Sequence, residues 1–181
     1  MTDVNQFLQF LKILGKENWY RLYIIPIRKR DKTPLVRKGE SWLDKRIHLK
    51  EAVELLNKGY NIGLVGKPKG LLFVDVDNAN LKLDLPETFT VSTNKGYHMY
   101  YLNTGIRNNL SVMKGIVSVR AYNQYVVGVG STVYKTYKIV NPAPLSEIDF
   151  ETIRGALDVL NREVSRKEIS KGYAKQKVHG L

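Results

Sequence analysis

The chemistry-bearing residues of this chain gather in three short stretches. The first is Gly70-Leu-Leu-Phe-Val-Asp-Val-Asp-Asn78, an apolar run interrupted by Asp75 and Asp77. Alternate residues of a strand face the same side, so both carboxylates point one way while Val76 points back toward a core. Two carboxylates at the end of a buried strand are costly to desolvate and repel each other, and a hard divalent cation, Mg²⁺ or Mn²⁺, relieves both problems. The alternative reading is a strand end that runs into an Asp-Asn turn. The second stretch is Thr93-Asn-Lys-Gly-Tyr-His98, where Lys95 and Gly96 form a tight turn before His98. Backbone N–H groups, a lysine and an imidazole together suit a phosphate. A hydrogen-bonded structural histidine is the plainer alternative. The third is Ile116-Val-Ser-Val-Arg120, where Ser118 and Arg120 share a face. Arg120 lies among valines and needs an anion there. A structural aspartate meets that need, and so does a nucleotide phosphate bound in bidentate fashion.

The surrounding pattern indicates how these stretches are held. Val4, Phe7, Leu8, Leu11 and Leu14 recur at helical spacing, with Thr2 or Asp3 as cap and Gly15 as stop. A strand is expected over residues 20–27, followed by an exposed basic loop over 28–39 that serves as a linker or contacts phosphates. Trp42 is expected to pin that loop to the core. A helix over 48–58 precedes a strand over 61–66. The segment Gly66-Lys-Pro-Lys-Gly70 is expected to turn this strand into the Asp75 strand as a hairpin. Residues 89–92 and 97–102 read as paired strands, with Gly96 supplying a positive φ at their turn. Residues 116–121 and 125–129 read as a further pair, and 134–140 as another strand. Ser146 is expected to cap a last amphipathic helix that uses Ile148, Phe150, Ile153, Leu157 and Leu160. Residues 165–181 are Lys-rich and aperiodic, which suggests a mobile basic tail or a frayed helix end after a single domain over 1–164. The order of elements indicates an α+β fold, a mostly antiparallel sheet flanked by helices.

The chain has 181 residues, none of them cysteine, which excludes disulfides, Cys-ligated zinc and a cysteine nucleophile and suits a cytoplasmic protein. Lys and Arg outnumber Asp and Glu 29 to 17, for a net charge of +12, which points to a polyanionic partner such as nucleic acid. Met1 is followed by Thr-Asp-Val-Asn rather than a signal peptide, and no apolar segment is long enough to span a bilayer, so no membrane partner is expected. Gly66-Lys-Pro-Lys-Gly70 lacks the spacing of a P-loop.

Taken in order, Pro34, Trp42, Asn61-Ile-Gly-Leu-Val-Gly66, the Asp75/Asp77 strand, Leu85-Pro86, Thr90-Val-Ser-Thr-Asn-Lys-Gly-Tyr-His98, Val117-Ser-Val-Arg120 and Tyr125-Val-Val-Gly-Val-Gly-Ser131 resemble the primase-polymerase (Prim-Pol) domain. That domain belongs to the archaeo-eukaryotic primase superfamily and occurs in replication proteins of plasmids and viruses. The resemblance covers roughly residues 20–140 and implies a primase-like fold with an RRM-like catalytic core. An archaeal plasmid or virus is the expected setting. It implies that Asp75 and Asp77 hold Mg²⁺ or Mn²⁺, that His98 is catalytic and contacts the incoming nucleotide, and that Lys95, Arg120 and Ser131 help bind it. DNA, as single-stranded template or primer–template, and nucleoside triphosphates are the implied partners, with a helicase or other replication proteins beside them. Ser118 stands where the family has its third acidic ligand, and a neutral hydroxyl is a poor Mg²⁺ ligand beside a carboxylate. Two functions follow: a DNA primase/polymerase performing metal-dependent nucleotidyl transfer on a DNA template, or a catalytically impaired primase-fold protein acting as a DNA-binding replication accessory module.

Overall fold

The computed structural model describes residues 1–179. Its centre is strand β3 (Leu71–Val76). The run of apolar residues from Leu71 to Val74 suits burial on both faces, and all four side chains are fully or almost fully buried. Strand β5 (Tyr97–Asn103) pairs antiparallel on one side of β3 and β7 (Val117–Arg120) antiparallel on the other. The sheet extends through β4 (Thr90–Ser92) and β9 (Lys138–Asn141) at one edge and β6 (Leu110–Val112) at the other. Where β4 ends, the short β10 (Glu147–Ile148) takes its place beside β5, in parallel. The result is a seven-stranded, largely antiparallel sheet.

A second sheet of three strands comprises β1 (Ile24–Ile27), β2 (Asn61–Val65) and β8 (Tyr125–Val127), with β2 in the middle. Together with helices α1 (Val4–Leu14) and α2 (Leu49–Asn57), it covers the face of the large sheet that carries Leu71, Phe73 and Tyr100. Asp3 caps α1, its carboxylate accepting from the Asn5 N–H at 3.1 Å. Phe7 and Phe10 of α1 enter the core beside Phe89 and Tyr100. The opposite face, with Leu72, Val74 and Val76, is covered by Ile153, Leu157 and Leu160 of helix α3 (Phe150–His179). The fold is therefore α+β in three layers, as the order of elements predicts.

Several local expectations are corrected. Residues 16–21 form a 3-10 helix, and β1 starts only at Ile24. The β2 and β3 strands are not a hairpin: Gly66-Lys-Pro-Lys-Gly70 carries the chain from the small sheet to the large one. Strands β7 and β8 are likewise not a pair, and the chain returns between the same two sheets through residues 121–124. Both connections read as turns in sequence because a sharp change of direction needs the same residue types whether or not the strands pair. Gly66 is required by proximity, since a side-chain carbon there would strike the Arg120 carbonyl. Ser146 does not cap α3. Its hydroxyl donates to the Glu87 carbonyl at 2.6 Å, while Asp149 caps the helix by accepting from the Thr152 N–H at 2.8 Å. Residues 165–179 continue α3, and the end of the basic segment, 180–181, lies outside the described residues. No helix among the described residues is long and apolar enough to cross a membrane.

Candidate nucleotide site

Register brings the first three stretches together. Asp75 lies opposite His98 on β5 and opposite Ser118 on β7, so the three form one row across neighbouring strands. Arg120, two residues beyond Ser118, reaches the same face. Its Nη2 donates to Asp75 Oδ2 at 3.1 Å, and its Nη1 donates to the Tyr125 carbonyl at 2.7 Å. The anion that Arg120 needs is thus Asp75 itself. His98 Nε2 lies 3.3 Å from Asp75 Oδ1. That approach falls outside good hydrogen-bond geometry and leaves Oδ1 without a hydrogen-bond partner.

Burial of Asp75, whose side chain is 13 % exposed, works to raise its pKa. The close approach of His98 and the charges of Arg120 and Lys32 outweigh it and hold the carboxyl below the ordinary carboxylate value. The surrounding cavity, about 220 Å³, is lined by Lys32, Asp75, His98, Arg120, Tyr125, Val126, Val127 and Tyr137. Tyr137 stands edge-on to the His98 ring with centroids 5.7 Å apart. Burial, then the charges of Asp75 and Asp77, push its phenol up to about 12, so it stays neutral and able to donate. Tyr125 fastens the basic loop to the site by donating from its hydroxyl to the Lys32 carbonyl at 2.8 Å. Trp42 packs edge-on against Tyr125 at 5.0 Å, which realises its expected role of pinning the loop.

Three buried side-chain polar atoms lack a partner among the described residues: Asp75 Oδ1, His98 Nδ1 and Arg120 Nε. All three belong to this one cluster. Leaving a buried polar atom unsatisfied costs about 1–3 kcal/mol, and a cluster of such atoms calls for a partner such as an ordered water, an ion or a ligand.

The other expected site residues are placed as follows. Asp77 follows β3, is exposed, and pairs its N–H with the Ile116 carbonyl at 2.8 Å; its charge reaches the pocket through Tyr137. Ser118 lines an adjoining cavity that shares Arg120 with the pocket. Lys95 and Ser131 lie outside the pocket. Lys95 is exposed at the β4–β5 turn. That turn spends its own polar groups: the Thr93 N–H bonds the Gly96 carbonyl at 2.9 Å, and the Gly96 N–H bonds Thr93 Oγ1 at 3.1 Å. Gly96 is there because a side-chain carbon would collide with the Val76 carbonyl; it does not supply a positive φ. Ser131 is fully buried and bonds the Ile62 backbone, with its Oγ accepting from the Ile62 N–H at 3.0 Å. Each face of β5 is covered by its own core, Tyr100 on one side and Tyr97, Met99 and Tyr101 on the other. Tyr137 was not indicated by sequence, and its only signal is a polar-tipped aromatic between two β-rich segments.

The residues present do not make a metal centre by themselves. Among the described residues no group of three or more His, Asp or Glu side chains is placed to hold a metal ion. One oxygen of Asp75 is already paired with Arg120, Ser118 offers a neutral hydroxyl, and Lys32 adds positive charge.

The α+β arrangement, an antiparallel sheet covered on both faces, is consistent with a primase-like fold. The sequence matches the family described as bifunctional DNA primase/polymerase, N-terminal (Prim-Pol), over residues 16–149, and the chain belongs to that family. The family's function is DNA priming and polymerisation in replication, its substrates are DNA and nucleotides, and its nucleotidyl transfer generally uses divalent metal. A comparison of the whole sequence with curated proteins found no match.

Proposed function

We propose that this chain is a replication protein that binds a nucleoside triphosphate, beside a DNA strand, in the pocket formed by Asp75, His98 and Arg120. The observation that carries this reading is the clustering of the unpartnered buried atoms in one pocket. His98 and Arg120 line this pocket, and the Arg120 side chain, a third exposed, offers a guanidinium to a phosphate oxygen. Lys32 and Tyr137 line the same cavity, Lys32 adding a positive charge. The Arg120–Asp75 pair holds the guanidinium in place before the ligand arrives, which limits the ordering cost of binding.

A second reading, templated nucleotidyl transfer with divalent metal at Asp75 and Asp77, is favoured by the presence of both carboxylates at the end of β3. Ser118 and the paired state of Asp75 weigh against it, so the chain's own residues support nucleotide binding more strongly than catalysis. One experiment separates the two. Nucleoside triphosphate binding is measured by calorimetry with and without Mn²⁺, and primer extension is run beside it, for the native protein, Asp75→Ala and Arg120→Leu. Binding that Arg120→Leu abolishes, without extension, supports the first reading. Extension lost in Asp75→Ala supports the second. No nucleotide binding by the native protein overturns both.

A further inference from the structure

A second basic cavity, about 540 Å³, opens at the far end of β3, where Gly70 enters the strand. Five cations line it, Arg21, Arg46, Lys67, Lys69 and Arg107, and no acidic side chain does. None of the five has a carboxylate partner among the described residues, where ion pairs involve Lys45, His98, Arg120 and Arg154. Concentrated unbalanced charge of this kind is costly unless an anion compensates it.

The cavity walls are fixed in place. Arg46 donates to the Leu22 carbonyl at 2.8 Å, Lys67 to Asn123 Oδ1 at 2.7 Å, and Arg21 Nε to Asn18 Oδ1 at 3.1 Å. Arg46 and Lys67 also stack on the Tyr23 ring, at 4.9 and 4.4 Å from its centroid. Lys69 and Arg107 are exposed and make no side-chain hydrogen bond among the described residues. Beside them Tyr20 is 67 % exposed, an aromatic face left open at the rim with Arg21 5.5 Å from its centroid. Basic groups that track a phosphate backbone and an open aromatic on which a base can stack are the two requirements for holding single-stranded nucleic acid.

Side-chain contacts link the cavity to the surroundings of the nucleotide pocket. Arg107 stacks on Tyr122 at 4.7 Å, and Asn109 bonds the Tyr122 carbonyl at 2.8 Å. Asn109, Ser118 and Gln124 line the next cavity, which ends at Arg120. From Gly70 to Asp75 the strand advances roughly 15 Å.

We propose that this cavity is a binding site for single-stranded nucleic acid, with one base stacked on Tyr20 and its flanking phosphates held by Lys69 and Arg107. The site is distinct from the nucleotide pocket and does not depend on catalysis there. The test is fluorescence anisotropy with a short labelled oligothymidylate and its RNA counterpart, over a salt series, with no triphosphate present. Tyr20→Ala is expected to weaken binding about five- to a hundredfold with the salt slope unchanged. Lys69→Ala with Arg107→Ala is expected to lower the slope by about 1.4, two phosphate contacts on a single strand. The control is Lys12→Ala with Lys138→Ala, two exposed lysines outside the cavity. Melting temperatures check that each variant is folded. Comparison of the two oligomers shows which sugar is preferred and supports the site in either case. Binding by Tyr20→Ala within twofold of the native protein overturns the proposal, as does a slope change in the control pair equal to that in the cavity pair. The oligomer titration contains no triphosphate and the triphosphate titration no oligomer, so failure of this site and failure of the nucleotide pocket are read separately.

Discussion

Arg120 Nη2 and Asp75 Oδ2 lie 3.1 Å apart across neighbouring strands, so the carboxylate at the centre of the pocket is already matched by a cation of the protein's own. On the proposed reading a phosphate entering this pocket meets a guanidinium that Asp75 already holds in place. A bare metal ion, by contrast, must compete with Arg120 for Asp75.

Removing the guanidinium leaves a mostly buried carboxylate with His98 as its one close partner. Arg120→Leu is therefore expected to destabilise the protein by about 1–3 kcal/mol, measured by urea denaturation at neutral pH. Asp75→Asn with Arg120→Leu should recover part of that loss, because the double variant leaves no unpaired charge.

The pH dependence follows from the lowered pKa of Asp75. Between its folded value and the ordinary value of 3.8 the unfolded chain binds the proton more readily. Its stabilising contribution is thus complete above 3.8 and is lost as pH falls through the folded pKa. In Arg120→Leu desolvation has less to oppose it, so the Asp75 pKa should rise and the acid limb of the stability curve should begin at higher pH. Carboxyl-carbon NMR titration of Asp75 checks this directly.

Ser118→Asp places a third carboxylate directly opposite Asp75. Without a cation this like-charge pair should lower the melting temperature. Mn²⁺ should restore it in the variant and leave the native protein almost unchanged. An equal Mn²⁺ shift in both proteins would show that Asp75 and Asp77 already suffice for binding.

Gly96→Ala forces a side-chain carbon into the Val76 carbonyl, at the point where β3 delivers Asp77. The turn must move, at a cost of about 1–3 kcal/mol, and Asp77 moves with it. Thermal unfolding reads the cost, and Asn78 and Lys95 amide shifts report the displacement.

The Asp75 strand, its partner with His98 and the Arg120 strand were all legible, because period-two alternation and β-branched runs fix which side chains share a face. The partner of Arg120 was legible only as a choice of anions, since cross-strand register is set by distant pairing rather than by local sequence. Gly66 and the residues after Arg120 carry turn chemistry, yet whether a turn folds a strand back or sends it to another sheet is decided by tertiary packing. For the same reason the sequence did not show that the Lys95-Gly96 turn spends its N–H groups internally, nor that Ser131 is consumed by the Ile62 backbone.

The proposed nucleotide pocket draws on Lys32, Asp75, His98, Arg120 and Tyr137, residues scattered over most of the chain and brought together by pairing between remote strands. Ordering such non-local contacts is slow, because loop-closure entropy is paid before the contacts form. During synthesis the pocket cannot exist until Tyr137 has left the ribosome and β5 has found its place between β3 and β4. A fragment that ends before Tyr137 therefore lacks the aromatic wall that stands against His98, however much of the sheet it retains.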